Sequence, residues 1–357
     1  MSESLQPSLS NLRSLQILRL IACTSVVYYH IYAQPNFGLF GVDIFFVLSG
    51  FVIALVIQNQ SSPKQFAINR ISRIVPIYWI LTTVLFLLIC VHPSIVRKST
   101  AETATVILYL KSLFFVAYYD VGQVKPPLLR VGWTLNYEIF FYACVWLSLV
   151  LFKKKAIKPI TILIGGTFVA PFFIASSNPF FQEFFGSHYI LEFLLGMLVL
   201  YVYKCKHLKL PSDLCPFIAI GSYALMAYID ANDISGNRLL YFGAPSTLLL
   251  LAMLGNEDFY AKSSSKVILT LTLMGDASYA TYLSHFFFVE GFKRIACQKL
   301  ALFDCYRLPG VISIIFICLI IGQLLYWLVD KPAHQHCKQF LNHWLHENKN
   351  VRKLHGS

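Results

Sequence analysis

Arg19 and His30, with ten residues between them, lie inside a single apolar run from Leu12 to Tyr32, and Asp43 lies inside the next, Phe37 to Ile57. Ionisable side chains are expensive in such runs, so those kept there are candidates for function. An imidazole beside a carboxylate moves protons near neutral pH, and a guanidinium holds anions. A helical rise of about 1.5 Å per residue puts Arg19 and His30 about 16 Å apart, one near a membrane face and the other past the midplane. The chain turns at Ala33, Gln34, Pro35 and Asn36, which brings Asp43 back to about the depth of His30. Trp133 and Glu138 open a later apolar run and reach the same level. The expectation is that His30 meets Asp43 and Glu138 near one face. Arg19 approaches from the other side, together with Arg70 and Arg73, which share one helix face just before Pro76. His285 lies ten residues into a further run, near mid-membrane, and reads equally as a residue that hydrogen-bonds a neighbouring helix.

The elements that must position these groups are membrane helices. Residues are 57% hydrophobic and only 13% charged, against about a quarter charged in soluble globular chains, which implies an all-α, multi-pass integral membrane protein. The first run reads as a retained span, since no small-residue cleavage pattern follows it. The net charge of +12 is distributed in short clusters between apolar runs, which suits anchoring against anionic membrane lipid and excludes a nucleic-acid partner. Arg70 and Arg73 also fit that anchoring role. Nine cysteines form no C-x-x-C pair. Cys297 and Cys305 share a loop and would pair if it faces an oxidising compartment, with free thiols the expectation otherwise. The tail histidines His334, His336, His343, His346 and His355 do not make up a ligand set, so no metal is expected.

Apolar runs predict spans at 12–33, 37–57, 74–91, 133–152, 159–176, 189–203, 214–229, 239–254, 275–291 and 309–329, a bundle of about ten helices. The run 106–119 is interrupted by Lys111 and is short enough to be re-entrant or interfacial. If it does not cross, the basic clusters at 58–73, 153–158, 204–209, 262–266 and 331–353 share one side, and both termini are cytoplasmic. Residues 1–332 then form one membrane domain, and 333–357 a cytoplasmic amphipathic basic tail with Phe340, Leu341, Trp344 and Leu345 at helical spacing. Gly41, Ser49 and Gly50 read as close-packing positions.

Six stretches carry a further signal. QILRLIACTSVVYYH (16–30) resembles the first-span motif of the acyltransferase-3 family of membrane acyltransferases, and GVDIFFVLSGF (41–51) its second-span motif. RISRIVPIYW (70–79) is similar to the R-x-x-R-x-x-P-x-Y motif, and WTLNYEIFFY (133–142) to W-S/T-L-x-x-E-x-x-F-Y. EFLLGM (192–197) and SYATYLSH (278–285) resemble the two later blocks. All six occur in family order from about Leu12 to Pro332. Asn136 and Tyr137 stand where many members have Ser-Val, a variant that looks more like the exopolysaccharide acyltransferase branch.

The resemblance implies transfer of an acyl group from cytoplasmic acyl-CoA, with acetyl-CoA the expected donor, to a hydroxyl of a cell-surface or lipid-linked carbohydrate. Carried onto this chain, it implies His30 as the catalytic histidine, Arg19 as its partner, Asp43 and Glu138 as functional acids, and Arg70 and Arg73 as the cytoplasmic pair. Guanidinium forks suit the phosphates of CoA. Trp133, Tyr282 and His285 are the candidates for acceptor contact. The competing reading is a proton-coupled transporter or flippase in which His30, Asp43 and Glu138 relay protons. No inverted repeat accompanies them.

Overall fold

The computed structural model describes residues 12–32, 37–59, 62–96, 98–120, 122–153, 156–174, 179–205, 210–293, 297 and 304–354. The turn at 33–36 lies outside the described residues, as do Lys154, Lys155, Lys206, Lys209, Arg294, Lys299 and His355.

Helices α1 (Arg13–Tyr32) and α2 (Gly41–Asn59) form the centre. Helix α2 is apolar nearly all round, which is the pattern of a helix surrounded by others, while α1 mixes buried apolar residues with Arg13, Gln16, Arg19 and His30. Of the most apolar stretch of α2, 83% is buried, against 33% for α3 (Pro63–Val91). Gly38, at φ +105°, makes the turn into α2 and approaches Ser25 so closely that no side chain fits there.

In α3, Ser62 caps the first turn by accepting from the Gln65 amide, with Pro63 following it. The helix then runs 29 residues straight through Pro76. The helix thus begins well before the span expected at 74–91, and Arg70 and Arg73 share one helix with it, as their spacing predicts. Ile74, Ile77, Tyr78, Leu81, Leu85 and Ile89 face inward at helical spacing, while Leu87 and Val91 are 57% and 70% exposed. Apolar side chains turned outward in this way face lipid.

Short α4 (Lys98–Thr103) and α5 (Val106–Leu113) follow. Eight residues rise about 12 Å, too little to cross a hydrocarbon core of about 30 Å. The antiparallel hairpin β1 (Tyr118–Asp120) and β2 (Gln123–Lys125) holds the only strands among the described residues. It leads to α6 (Trp133–Phe152), α7 (Ile157–Ile174), α8 (His188–Lys204) and α9 (Cys215–Ala231). A π turn at Leu239–Gly243 opens α10 (Ala244–Gly255), followed by α11 (Glu257–Lys262).

The span expected at 275–291 is essentially α13 (Ser278–Phe292), which follows α12 (Lys266–Asp276) after a break at Ala277. Helix α14 (Leu308–Leu325) continues through a π turn at Tyr326–Asp330 into α15 (Lys331–Leu354), so the tail extends the last span and packs on α3. Among the described residues, five helical stretches are long and apolar enough to cross a membrane: 41–58, 63–91, 130–152, 181–204 and 308–345.

Small residues set which helices touch. A Cβ on Gly50 would stand 2.0 Å from the Phe193 carbonyl oxygen, and one on Gly196 would stand 1.9 Å from that of Val47, so α2 and α8 meet backbone to backbone. Cys297 and Cys305 are joined in a disulfide with Cα atoms 5.8 Å apart, which corrects the expectation of free thiols. The hydroxyl of Tyr32 donates to the Tyr306 carbonyl at 2.8 Å, placing this bridged loop at the His30 end of α1.

Candidate active site

Five helices, α1, α2, α3, α6 and α13, line a cavity of about 310 Å³. Its lining includes Arg19 from α1, Ser49 from α2, Arg70 and Arg73 from α3, Glu138 and Tyr142 from α6, and Tyr279 and Tyr282 from α13. Glu138 accepts hydrogen bonds from the Tyr142 hydroxyl one turn along and from Ser49 Oγ at 3.4 Å, and it lies within electrostatic reach of Arg70 and Arg19. Arg19 Nη1 donates to Gln16 Oε1 at 3.2 Å. The Arg70 guanidinium lies 5.7 Å over the Tyr142 ring, and its buried Nε has no hydrogen-bond partner. Arg73 pairs with Asp330 at 2.9 Å and lies 5.3 Å over the Tyr279 ring. Three guanidinium groups thus border the space, Arg73 paired with Asp330 and the other two sharing Glu138. Half-buried cations in excess around an open volume suit an anion with several oxygens.

Tyr282 and Phe45 close the cavity toward the other side, their rings 5.7 Å apart. The Tyr282 hydroxyl is held by the Val131 carbonyl at 3.0 Å and Thr134 Oγ1 at 3.1 Å. His285 follows one turn along α13. Its ring lies 4.9 Å from that of His30, and Lys293 Nζ donates to the His30 carbonyl oxygen at 2.9 Å. The two histidines are not among the residues lining the cavity.

The meeting expected from depth alone does not occur. Asp43 is fully buried and gives its Oδ2 to Arg238 at 2.6 Å, while its Oδ1 has no hydrogen-bond partner. Glu138 is committed to Tyr142 and Ser49. His30 is met by His285. Trp133 packs among Phe46, Tyr137 and Tyr189 between α2, α6 and α8, and it is not among the residues lining the cavity. Ser49, expected to be a close-packing residue, is instead a donor inside the cavity, whereas Gly41 and Gly50 do pack tightly.

Three residues with a part in these clusters were not singled out from the sequence. Arg238 sits in a polar loop, where a basic residue has no signal. Glu192 is an acid inside an apolar run and so carried the same signal as Asp43. Asp330, 2% exposed, lies at the end of the last apolar run and is read as a loop acid until Arg73 is seen beside it. Among the described residues, no group of three His, Cys, Asp or Glu side chains is placed to hold a metal ion.

Such elements define a multi-pass helical membrane protein with an arginine-bordered cavity between its central helices. Residues 12–331 match the family model Acyl_transf_3, an acyltransferase domain, and the chain belongs to that family of acyl-transferring enzymes. The exopolysaccharide production protein ExoZ of Rhizobium meliloti (strain 1021) is 31% identical over 264 residues, covering 71% of this chain and 77% of the relative. The peptidoglycan O-acetyltransferase OatA of Listeria monocytogenes is 32% identical over 164 residues, 43% of this chain and 25% of OatA. The O-acetyltransferase OatA of Staphylococcus aureus is 23% identical over 304 residues, 75% of this chain and 49% of that protein. The chain therefore spans most of ExoZ but half or less of the OatA proteins. No solved structure gives a significant match.

Proposed function

We propose that this acyltransferase takes an acyl group, acetyl foremost, from cytoplasmic acyl-CoA and transfers it to a hydroxyl of a cell-surface or lipid-linked carbohydrate. The observation that carries this reading is the cavity bordered by Arg19, Arg70 and Arg73, whose guanidinium groups suit the oxygens of a phosphate-bearing donor. The carbohydrate acceptor follows from the relatives, one named for exopolysaccharide production and two for O-acetyl transfer.

The bundle has about ten membrane helices, with α5 entering without crossing and both termini cytoplasmic. A disulfide persists only on an oxidising side. Cys297–Cys305 lies at the His30 end of α1, so that end is extracytoplasmic and the arginine end faces the donor. Residues 333–354 form a basic amphipathic tail that continues the last span on the cytoplasmic side, packed on α3 with Phe340 and Trp344 exposed.

In this mechanism Arg70 and Arg73 hold the phosphates of CoA, and Arg19 lies along the pantetheine path. A ring nitrogen of His30 takes the proton of the acceptor hydroxyl as its oxygen bonds to the thioester carbonyl carbon. The carbon–sulfur bond then breaks, and the CoA thiolate leaves with the proton returned from His30. Glu138 fixes the guanidinium groups of Arg19 and Arg70, Tyr282 borders the thioester, and Trp133 shapes the acceptor side. Asp43 holds α2 to Arg238 in place of contacting His30.

The test is incubation of the purified protein in lipid nanodiscs with acetyl-labelled acetyl-CoA and with polymeric or lipid-linked glycans. Label entering glycan is expected, and Arg70→Ala should raise the donor concentration needed. Absence of transfer from every acyl-CoA offered, combined with glycan movement across proteoliposomes, would replace this reading with the transporter.

A further inference from the structure

The structure assigns to His285 the role of a positioning residue that fixes the tautomer of His30 by offering it a single acceptor nitrogen. The inference rests on the reading of His30 as the base and concerns what orients it. His285 is fully buried, and its Nδ1 stands 2.5 Å from the Tyr282 carbonyl oxygen, an atom that can only accept. Nδ1 must therefore carry the hydrogen. In a neutral imidazole this leaves Nε2 as a bare lone pair. That Nε2 is buried with no hydrogen-bond partner, an arrangement that stable cores avoid and functional sites retain.

The imidazole beside it is His30, with ring centroids 4.9 Å apart and planes inclined at 45°. His30 is half-buried, whereas the His285 ring is fully enclosed. A modest rotation lets an N–H of His30 donate to His285 Nε2, and such bonds commonly tighten only when substrate arrives. Donation from one nitrogen leaves the other unprotonated and fit to take a hydroxyl proton. This is the service a carboxylate performs for histidine in hydrolytic triads. The two carboxylates expected to perform it are committed elsewhere, Asp43 to Arg238 and Glu138 to Tyr142 and Ser49. Tyr282 adds to the arrangement, because its carbonyl sets the His285 tautomer while its hydroxyl is tied to Val131 and Thr134. Donor cavity and histidine pair are thus joined through one residue of α13.

The experiment compares His285→Phe, which keeps a planar ring without an acceptor, with His285→Gln, whose amide oxygen reaches the place of Nε2. Full-length protein in nanodiscs is assayed for single-turnover transfer and acyl-CoA affinity, and ring-15N histidine spectra are recorded in parallel. His285→Phe is expected to slow transfer by about 10²-fold at unchanged acyl-CoA affinity, with His285→Gln recovering most of the rate. The parent spectrum should show His285 protonated at Nδ1, and His30 should lose its single tautomer in His285→Phe. Transfer by His285→Phe within a few-fold of the parent, or equal losses in Phe and Gln variants, overturns the assignment. So does a parent spectrum with the proton on His285 Nε2, which decides the matter even if the variants fail to fold. If His30→Ala retains transfer, the mechanism above fails instead, and the spectra distinguish the two failures.

Discussion

The space bordered by Arg19, Arg70 and Arg73 and the cluster of Asp43, Glu192 and Arg238 both bury charge among membrane helices, with opposite balances. The first sets three guanidinium groups against Glu138 and Asp330 around an open volume of about 310 Å³. The second sets two carboxyl groups against one guanidinium, which lies 5.1 Å over Tyr189 and 4.9 Å over Phe242. With Arg73 paired to Asp330, Arg19 and Arg70 share Glu138, and the cation left over favours an incoming anion. The acidic cluster is enclosed by helices and aromatic rings, holds its cation paired to Asp43, and lines no part of the cavity. The first region is built to bind. The second ties α2 to α8 and to the segment that opens α10.

If that division is right, substitutions should separate turnover, stability and affinity. The largest effect is expected at His30, which belongs to neither region. His30→Ala should reduce single-turnover transfer by a factor of about 10²–10⁴ while acyl-CoA binding and thermal stability stay at parent values. Transfer within a few-fold of the parent would make His30 a packing residue.

Next in size is Arg238→Leu, which strands Asp43 and Glu192 without a cation. Removing one member of a buried pair costs about 3 kcal/mol or more, so the apparent melting temperature in detergent should fall sharply. A melting temperature equal to the parent's, with weakened acyl-CoA binding, would move the second region into the binding site.

Arg70→Lys keeps the charge but loses the fork, and the Michaelis constant for acyl-CoA should rise about tenfold with stability unchanged. Loss of stability without a change in donor dependence would make the first region structural.

The smallest effect gives the comparison its orientation. In intact cells Cys297 and Cys305 should resist a membrane-impermeant maleimide until an impermeant reductant is added, then label readily. Labelling that requires permeabilised cells would put the His30 end on the cytoplasmic side.

Much of this was legible before any coordinates. Apolar length and the punctuation between runs located the helices, because a lipid-spanning backbone must satisfy its hydrogen bonds within each segment. The motifs from 16–30 to 278–285 identified the family that residues 12–331 match. The expense of an ionisable group in an apolar run picked out Arg19, His30, Asp43 and Glu138, and the structure brings Arg19 and Glu138 into one cavity. Boundaries were less legible: α3 begins at Pro63, since a capping serine and a following proline start a helix whether or not its first turns are apolar.

What the sequence could not settle was the partnering of these groups. Position along a run gives depth in the membrane and nothing about azimuth, and at one depth a side chain may turn to any of several neighbours. The depth expected for Asp43 also fails: Gly38 packs on Ser25 and Gly41 on Ala22, which carries Asp43 past the level of His30 to face Arg238, 195 positions away, while His30 faces His285. The turning is decided by where backbones approach closely. Gly50 and Gly196 draw α8 onto α2, and Gly275 lets α12 reach the Gln16 carbonyl on α1. Those contacts rotate each helix to a fixed face, and only the assembled bundle determines which polar atoms then meet.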